Sequence, residues 1–411
     1  MHSTSSPVPG HLRRIPVPTG SRAGELRRPT PPPASLAVLR RLAGRHVLVV
    51  GLDHGPERAT VARHTSGLVT HLDGEAASVT LRRSGRLAVG GLGRAGGDVA
   101  LLTLALTTRL AHVPDLVVAV TPGLGGAVAG ARIAQRHGAP LVLVVHDLVS
   151  ARPAGRYGGR ALRVAEATER RLLPRAAQVA VVNPDLGAVV RTLGVPSGRV
   201  HLLPRWTTLP AVGLDRRAVR RALRWPERRF TVVLPVPADG RSDPATALAA
   251  TALLDGAVDL VLVGDGARRA LAQAPAEVAA AARVVGPVDD VRLRSMLAAA
   301  DLVLLSQRAD AGGPCIPQTL VDCLGAGRPV LAATSPDSAV AAELDRAAGA
   351  GLVVRPGDPV VLAAAVRALQ LDDDLREAMG AVALRYARER LDRRHAMSRL
   401  DRIVEAALGG S

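Results

Sequence analysis

The sequence predicts an α/β protein of two domains, each built around a parallel sheet, and three observations support this. The chain has 411 residues, more than one hydrophobic core usually organises, so two domains of ordinary size are expected. Hydrophobic residues make up 48% of the chain and aromatic residues only 1%, and Ala, Val and Leu are the material of buried parallel strands and helices. Short β-branched runs alternate with longer segments rich in Ala, Leu and Arg, which is the pattern of βα units.

Twelve such runs predict strands, in two series of six separated by an Arg-rich connection near residues 205–229. The first series is HVLVVG from His46, SVTLR from Ser78, DLVVAV from Asp115, PLVLVV from Pro140, QVAVV from Gln178 and RVHLL from Arg199. The second series is FTVVLPV from Phe230, VDLVLVG from Val258, ARVVG from Ala282, DLVLL from Asp301, RPVLAA from Arg328 and GLVVR from Gly351. Each series has the length and alternation of a Rossmann-like domain.

These series set the predicted domain boundaries. Residues 46–208 are the N-terminal Rossmann-like domain and residues 209–375 are the C-terminal one. Residues 1–45 hold eight arginines, one glutamate and many prolines and serines, so we expect a disordered basic tail. Residues 376–411 are mostly helix-forming, and we expect C-terminal helices that cross back to the N-terminal domain.

The basic charge does not by itself indicate nucleic-acid binding. The net charge is +17 and, because the chain contains no lysine, all 53 basic residues are arginines. Outside residues 1–45 the excess is spread thinly, and no zinc-finger spacing, aromatic stacking platform or heptad accompanies it. Specific nucleic-acid binding is therefore not expected, whereas a loose attraction to anionic lipid or to an acidic substrate explains the charge equally well.

Cysteine content and hydropathy favour a cytoplasmic protein. Cys315 and Cys323 are the only cysteines and have no nearby histidine, so neither a disulfide framework nor a metal site is indicated. Residues 1–33 lack the apolar stretch of a secretory signal. The longest largely apolar stretch, residues 116–131, is interrupted by a proline and four glycines, and it fits a strand, loop and helix better than a membrane span.

In open parallel sheets ligands bind beyond the carboxyl ends of the strands, so the loops after these runs are the candidate sites. The loop after the first strand, GLDHGPE from Gly51, lacks the GxGxxG pattern of dinucleotide-binding folds. The segment GLDHGPERATVARHTSGLVTHL resembles the opening of family 4 retaining glycosyltransferases of the exopolysaccharide (colanic-acid) branch. TPGLGGAVAGARIAQRHGAPLVLVVHDL, VGDGARR, AGRPVLAATSPDS and GAGLVVRPGDP follow in the order and spacing of that family.

The resemblance covers most of the chain from His46 and implies the GT-B fold, with two Rossmann-like domains whose parallel sheets face each other across a cleft. It implies an acceptor site in the N-terminal domain and a nucleotide-sugar donor site in the C-terminal one. On the acceptor side it points to Asp53, His54, Glu57 and Thr60. His146, at the end of a predicted strand, is the catalytic candidate there, because imidazole can hydrogen-bond a sugar hydroxyl or a phosphate. A polar residue in that place can also serve only as a cap for the next segment.

The donor side must stabilise the charge that grows on a leaving diphosphate. Fixed cations and helix N-termini can do this without a metal, so no cofactor is expected. The resemblance places a phosphate-contacting arginine at Arg241 and makes Gln318 the second phosphate-side residue, although an exposed loop arginine is an equally simple reading of Arg241. The remaining donor-binding positions that the resemblance implies are Gly240, Gly264, Gly266, Val288, Thr319, Leu320 and Asp322.

Several family positions are altered. The family branch shows Pro-Ser-Lys where this chain has Pro317-Gln318-Thr319, so a charge is missing. Of two family acids, the second corresponds to Asp322, a plausible acceptor for a ribose diol, and the first corresponds to Pro314. Thr60 replaces a glycine in the acceptor-side loop and would crowd a phosphate.

Three functions remain open on this basis. The first is an active glycosyltransferase that moves a sugar from a nucleotide diphosphate sugar to a polysaccharide or lipid-linked acceptor with retention. The second is a degenerate relative that binds a nucleotide or a partner enzyme. The third is a sugar-nucleotide epimerase of similar architecture. The first is preferred, with a cytoplasmic location and peripheral association with the inner face of an anionic membrane.

Overall fold

The fold is described for most of the predicted domains. The computed structural model describes residues 42–51, 56–76, 78–83, 110–121, 124–151, 159–207, 215–237, 240–280 and 282–409. Most of the predicted tail, residues 1–41, and the acceptor-side Asp53 and His54 lie outside these ranges.

All twelve predicted strands are present. In chain order they are β1 (His46–Gly51), β2 (Ser78–Arg83), β3 (Leu116–Val120), β4 (Leu141–Val145), β5 (Gln178–Val181), β6 (Val200–Leu202), β7 (Phe230–Pro235), β8 (Val258–Val263), β9 (Ala282–Val285), β10 (Leu302–Ser306), β11 (Val330–Ala333) and β12 (Gly351–Val354). The inner strands are almost fully buried, as expected for parallel strands covered on both faces, whereas the edge strands β6, β9 and β12 are partly exposed.

The helices connect successive strands. They are α1 (Pro56–Asp73), α2 (Leu124–His137), α3 (Gly159–Leu172), α4 (Pro184–Thr192), α5 (Arg216–Ala222), α6 (Pro244–Ala252), α7 (Ala267–Ala272), α8 (Ala276–Ala279), α9 (Asp290–Ala299), α10 (Gln318–Gly325), α11 (Ala339–Arg346), α12 (Pro359–Leu371), α13 (Asp373–Arg390) and α14 (Arg393–Gly409). Side-chain oxygens cap many of their first turns. Asp243, for example, accepts from the amide of Thr246 at the start of α6.

The described residues divide into two compact units. The N-terminal unit contains residues 42–206, 313–315 and 392–409, and the C-terminal unit contains residues 207–312 and 316–391. Helix α14 therefore belongs to the N-terminal unit, where Leu400 and Val404 pack in one hydrophobic cluster with residues of β1, β3 and β4.

Each unit has one six-stranded sheet in which every recorded strand pair is parallel. The strand order is β2-β1-β3-β4-β5-β6 in the N-terminal unit and β12-β11-β10-β7-β8-β9 in the C-terminal unit. The prediction of an α/β protein with two parallel-sheet domains is thus confirmed. In the C-terminal sheet the strand order reverses between β7 and β10, which is the switch point of the sheet. Ligands of such sheets bind at the carboxyl ends of the strands beside the switch point.

A buried ion-pair network holds β7 and β10 together at their amino ends. The carboxylate of Asp301, the residue before β10, accepts from the backbone amide of Thr231 in β7 at 2.8 Å. It also pairs with the guanidinium of Arg220 at 3.1 Å, and Arg216 contributes a second ion pair. Arg220 is almost completely buried, so this charge is compensated where water cannot reach it.

Candidate functional site

The loop after β7 lies at the switch point of the C-terminal sheet. The backbone amide of Arg308 donates to the carbonyl oxygen of Arg241 at 2.9 Å, and Ser242 pairs with Gln307 in an antiparallel bridge. Gly240 has a φ of +71°, a backbone conformation that glycine adopts without strain. The loop is therefore fastened to the end of β10, with the Arg241 side chain partly exposed.

The predicted glycine turn follows β8 and packs closely against the end of β7. Gly264 has a φ of +122°, and a Cβ atom there would lie 2.8 Å from the carbonyl oxygen of Val236. A Cβ atom on Gly266 would lie 2.8 Å from Cγ1 of Val236, while the Gly266 amide donates to the Val236 carbonyl at 2.9 Å. Both glycines are therefore needed for the turn to approach the neighbouring loop.

Helix α10 brings two predicted residues together. The side-chain amide of Gln318 donates to Oδ1 of Asp322 at 3.0 Å. Asp322 is 7% exposed, and Thr319, in the same first turn, is partly exposed. The helix begins directly after Pro317, which provides no side-chain cap, so its N-terminus presents backbone donors and a positive dipole.

Two further donor-side predictions take different places. Leu320 is fully buried in the main hydrophobic cluster of this unit, and its amide donates to the carbonyl of Pro317. Its apolar side chain anchors α10 in the core, because it is removed from water, and the assignment of Leu320 as a donor-binding residue stays a prediction. Val288 follows β9, is partly buried and packs against the same cluster.

A buried polar network at the ends of β10 and β11 was not foreseen. The hydroxyl of Thr334 donates to Oε1 of Gln307 at 2.6 Å and lies 3.0 Å from Oγ of Ser338. The hydroxyl of Ser306 donates to the Asp243 carbonyl at 2.7 Å. Ser306 ends a buried strand, and Gln307 and Thr334 directly follow one, and that position was the available signal. The network fixes the loops that surround Arg241.

In the N-terminal unit, His146 lies at the carboxyl end of β4 and is fully buried. Its Nε2 is 3.1 Å from Nδ1 of His64 on α1. The ring of His64 stacks on Trp206, with ring centroids 3.8 Å apart. The His146 amide donates to Oγ1 of Thr121, which follows β3, at 3.1 Å. Residues from four elements thus meet at the carboxyl edge of this sheet.

The two histidines are uncharged at neutral pH. Burial lowers the pKa of His64 well below 6.5, and the positive charge of Arg205 lowers it further. Burial also lowers the pKa of His146, with smaller contributions from His64 and Arg205. Nδ1 of His146 and Nε2 of His64 are buried and have no hydrogen-bond partner among the described residues. Each ring therefore keeps one nitrogen that can bond another group.

Two carboxylates hold the loop after His146. Glu169 accepts from the amides of Val149 and Ser150, at 2.7 and 3.1 Å, and burial raises its pKa. Asp147 caps the same loop by accepting from the Leu148 amide at 2.9 Å. These bonds fix the backbone of residues 147–150, directly after the strand end that carries His146.

The predicted acceptor-side residues are only partly described. Glu57 and Thr60 lie in the first turns of α1, and their side chains, like Asp53 and His54, lie outside the described residues. Sequence reasoning missed His64, three turns into the same helix. The signal for it was weak, because a lone histidine in a helix is usually structural and its partner His146 is 82 residues away.

Two features, a metal cluster and a membrane-spanning helix, are absent from the described residues. No group of three or more His, Cys, Asp or Glu residues that could hold a metal ion occurs in the described ranges. No helix within those ranges is long and apolar enough to cross a bilayer.

Two family models match the chain, one in each unit. Residues 36–209 match the model described as Glycosyltransferase Family 4. Residues 244–372 match the model described as Glycosyl transferases group 1. No curated protein matches the chain in sequence.

Several solved structures share the fold of this chain. The Anabaena protein HepE, in complex with UDP and glucose, has 19% identity and a TM-score of 0.61 over 88% of this chain and 99% of its own. Sucrose-phosphate synthase from Thermosynechococcus elongatus has 15% identity and a TM-score of 0.67 over 90% and 100%. WaaG, a glycosyltransferase involved in lipopolysaccharide biosynthesis, has 19% identity and a TM-score of 0.58 over 85% and 98%. These matches confirm the two-domain α/β architecture of the GT-B type.

Proposed function

We propose that this chain transfers a sugar from a nucleotide diphosphate sugar to a glycan or lipid-linked acceptor with retention of configuration. The premise is that the chain is a glycosyltransferase with a Family 4 domain followed by a group 1 domain. The observation that carries this proposal is the switch point of the C-terminal sheet. There Arg241, the glycine turn at Gly264 and the N-terminus of α10 all lie at or beside the carboxyl ends of the strands.

Each of these groups suits one part of the donor. Arg241 supplies a permanent cation for the diphosphate, and the backbone donors of α10 supply hydrogen bonds and a favourable dipole. Asp322, one turn into α10, is the proposed acceptor for the ribose hydroxyls. Gln318, the first residue of α10, is hydrogen-bonded to Asp322. We propose that these protein groups meet the leaving charge without a metal cofactor, so that chelation with EDTA leaves turnover unchanged.

The transfer step needs few protein bases. The acceptor hydroxyl oxygen bonds to the anomeric carbon on the face that the diphosphate leaves, the bond between that carbon and the phosphate oxygen breaks, and the hydroxyl proton passes to the departing β-phosphate. The protein then contributes position and charge. His146 is neutral, and we assign its Nδ1, which has no partner among the described residues, to a sugar hydroxyl.

The donor assignment is tested by calorimetry with UDP, GDP and ADP on the purified chain. UDP comes first, because the Anabaena protein of the same fold holds UDP and glucose. We expect one nucleotide to bind, and both Arg241→Ala and Asp322→Ala to weaken it. Arg367→Ala, which changes an exposed arginine on α12 of the same unit, is the matched control. Failure of all three nucleotides to bind would refute the proposed donor site.

One observation favours a second candidate, a degenerate relative that binds a nucleotide without turnover. The family's charged residue ahead of α10 is absent, and the amide of Gln318 is directed to Asp322. An assay of sugar transfer separates the two functions. Its substrate is the nucleotide sugar that contains the nucleotide found to bind. Binding without any sugar transfer or donor hydrolysis would favour the degenerate relative.

We further propose a cytoplasmic location with peripheral association at an anionic membrane surface. The support is the basic character of residues 1–45, with eight arginines and one glutamate. Deleting residues 1–40 should reduce co-sedimentation with vesicles of anionic lipid. An unchanged membrane-bound fraction would rule out the tail as the membrane contact.

A further inference from the structure

A large cavity lies on the N-terminal unit, at the opposite edge of its sheet from His146. It measures about 900 Å³. Its lining includes the segments that precede β4 and β5, residues 138–140 and 176–177, so it opens at the amino ends of the strands. Ligand pockets of proteins have volumes of this order, yet nothing in the proposed transfer reaction uses this edge.

Four arginines from four separate segments line the cavity. Arg132 comes from α2, Arg171 from α3, Arg175 from the short 3-10 helix Leu173–Arg175, and Arg199 from the short 3-10 helix Ser197–Arg199. All four are exposed, and no Asp or Glu is among the lining residues that the structure describes. This part of the lining therefore gathers four permanent positive charges without a carboxylate.

These arginines differ from others in the described part of the chain. Arg216 and Arg220 pair with Asp301, and Arg229 and Arg283 pair with Asp259. No hydrogen bond or ion pair joins the guanidinium group of any of the four cavity arginines to another described residue. Because like charges repel one another, four unpaired guanidiniums around one concavity favour the binding of an anion.

Helix dipoles account for only one of the four arginines, Arg171, which lies in the last turn of α3. A cation in the last turn of a helix is stabilised by the carbonyl end of the dipole. In α2 that place is taken by Arg136 and His137, so Arg132 lies outside it. Arg175 and Arg199 belong to segments of three residues, which are too short to have a substantial dipole.

We propose that this cavity is a binding site for a phosphorylated organic anion, separate from the donor site. Guanidinium groups form paired hydrogen bonds with phosphate oxygens and keep their charge at every physiological pH. The side chain of Gln135 adds an uncharged donor at the rim, while Val128, Leu141 and Ala407 give the wall an apolar part. The volume exceeds what one phosphate fills, so the ligand carries an organic group beside its phosphate.

The same chemistry is offered by a soluble phosphate ester and by the headgroup of an anionic phospholipid. The test therefore has two arms, inorganic pyrophosphate by calorimetry and co-sedimentation with phosphatidylcholine vesicles with and without phosphatidylglycerol. The pocket variant is Arg132→Gln, Arg175→Gln and Arg199→Gln in one chain. The control variant changes Arg160, Arg163 and Arg191, three exposed arginines of the same unit outside the cavity, to Gln, with the same loss of charge.

We expect the pocket variant to lose at least about tenfold in affinity for pyrophosphate, for phosphatidylglycerol vesicles, or for both, while the control variant changes less than about twofold. Loss in the first arm alone identifies a soluble ligand, and loss in the second alone identifies a lipid headgroup. Equal losses in the two variants would show a general charge effect and overturn the proposal. Absence of binding in both arms would also overturn it.

The test is independent of the proposed donor site. Pyrophosphate can also occupy that site, but both triple variants leave the C-terminal unit unchanged, so its contribution is the same in each. Repeating the titrations in the Arg241→Ala background should preserve the difference between the pocket and control variants. Circular dichroism and Tm confirm that the exposed substitutions leave the fold intact, since such changes usually alter stability by no more than about 0.5 kcal/mol.

Discussion

At the carboxyl edge of the N-terminal sheet two histidines are buried and uncharged, whereas at the same edge of the C-terminal sheet an arginine remains partly exposed beside a glycine turn. His64 and His146 are enclosed with Trp206, while Arg241 lies on a loop bonded to the end of β10. Both sheets are parallel and six-stranded, although their strand orders differ, and the contrast lies in a few side chains after the strands. On the proposed function, the C-terminal unit supplies charge and the N-terminal unit supplies neutral hydrogen-bonding groups.

A substitution of Arg241 is the most direct test of this difference between the two units. Arg241→Ala should lower kcat/KM about 100-fold or more, because it removes the one side-chain cation assigned to the leaving diphosphate. Steady-state turnover of the donor identified by calorimetry measures this. Arg367→Ala should retain wild-type kcat/KM. Equal activity of Arg241→Ala and Arg367→Ala would place the phosphate contact elsewhere.

The glycine turn should be nearly as sensitive, but in stability. Gly264→Val introduces a β-branched side chain at positive φ with its Cβ about 2.8 Å from the Val236 carbonyl, so we expect a loss of about 3 kcal/mol in unfolding free energy. Urea denaturation measures it. Gly286→Ala is the control, since its Cβ would meet Arg268 at 3.6 Å, an ordinary contact. A Gly264→Val protein as stable as the Gly286→Ala protein would contradict the close packing of the turn.

The histidine pair should make stability depend on pH in one direction. Because the pKa of each ring is lowered from 6.5 in the folded protein, the unfolded chain takes up protons first as the pH falls. Stability is therefore complete above about pH 6.5 and falls below it, by up to about 1.4 kcal/mol per pH unit for each histidine. Tm measured between about pH 7 and about pH 5 should decrease more steeply in the wild type than in His64→Phe.

His64→Phe keeps an aromatic ring beside Trp206, and all carboxylates are the same in both proteins. Because His146 is present in both proteins, the difference between their pH profiles isolates the contribution of His64. Parallel profiles would show that the native state protonates His64 without cost, contrary to the burial of its ring.

The smallest expected change in kcat/KM is at Gln318, where an added charge tests whether this position contacts the donor. Gln318→Lys adds a cation beside Asp322 at the start of α10 and should raise kcat/KM about tenfold, the difference between a charged and a neutral hydrogen bond. Gln318→Glu, of similar size, should lower it by repelling both Asp322 and the diphosphate. If both variants have wild-type kcat/KM, this position does not contact the donor.

The strands could be predicted because their signal is local. Runs such as HVLVVG and DLVLL combine β-branching with continuous burial, and every predicted run appears as a strand. The glycines at Gly264 and Gly266 were also readable, since a turn of that tightness allows few other residues.

The rest of the site depends on contacts between distant parts of the chain. His64 pairs with His146, and Thr334 with Gln307, across many residues, and neither partner alone carries a signal. The burial of the Leu320 side chain could not be predicted either, because a donor-binding backbone position and a core side chain look alike in sequence. Arg132 and Arg199 are inconspicuous among 53 arginines, and only the fold brings them to one cavity.

The stacking of Trp206 on His64 has a practical consequence. The chain has two tryptophans: Trp206 belongs to the N-terminal unit and Trp225 to the C-terminal unit, and both are buried. Each unit therefore carries its own fluorophore. Single Trp→Phe variants would report the unfolding of one unit at a time, and the emission of Trp206 would follow the protonation of the imidazole that it touches.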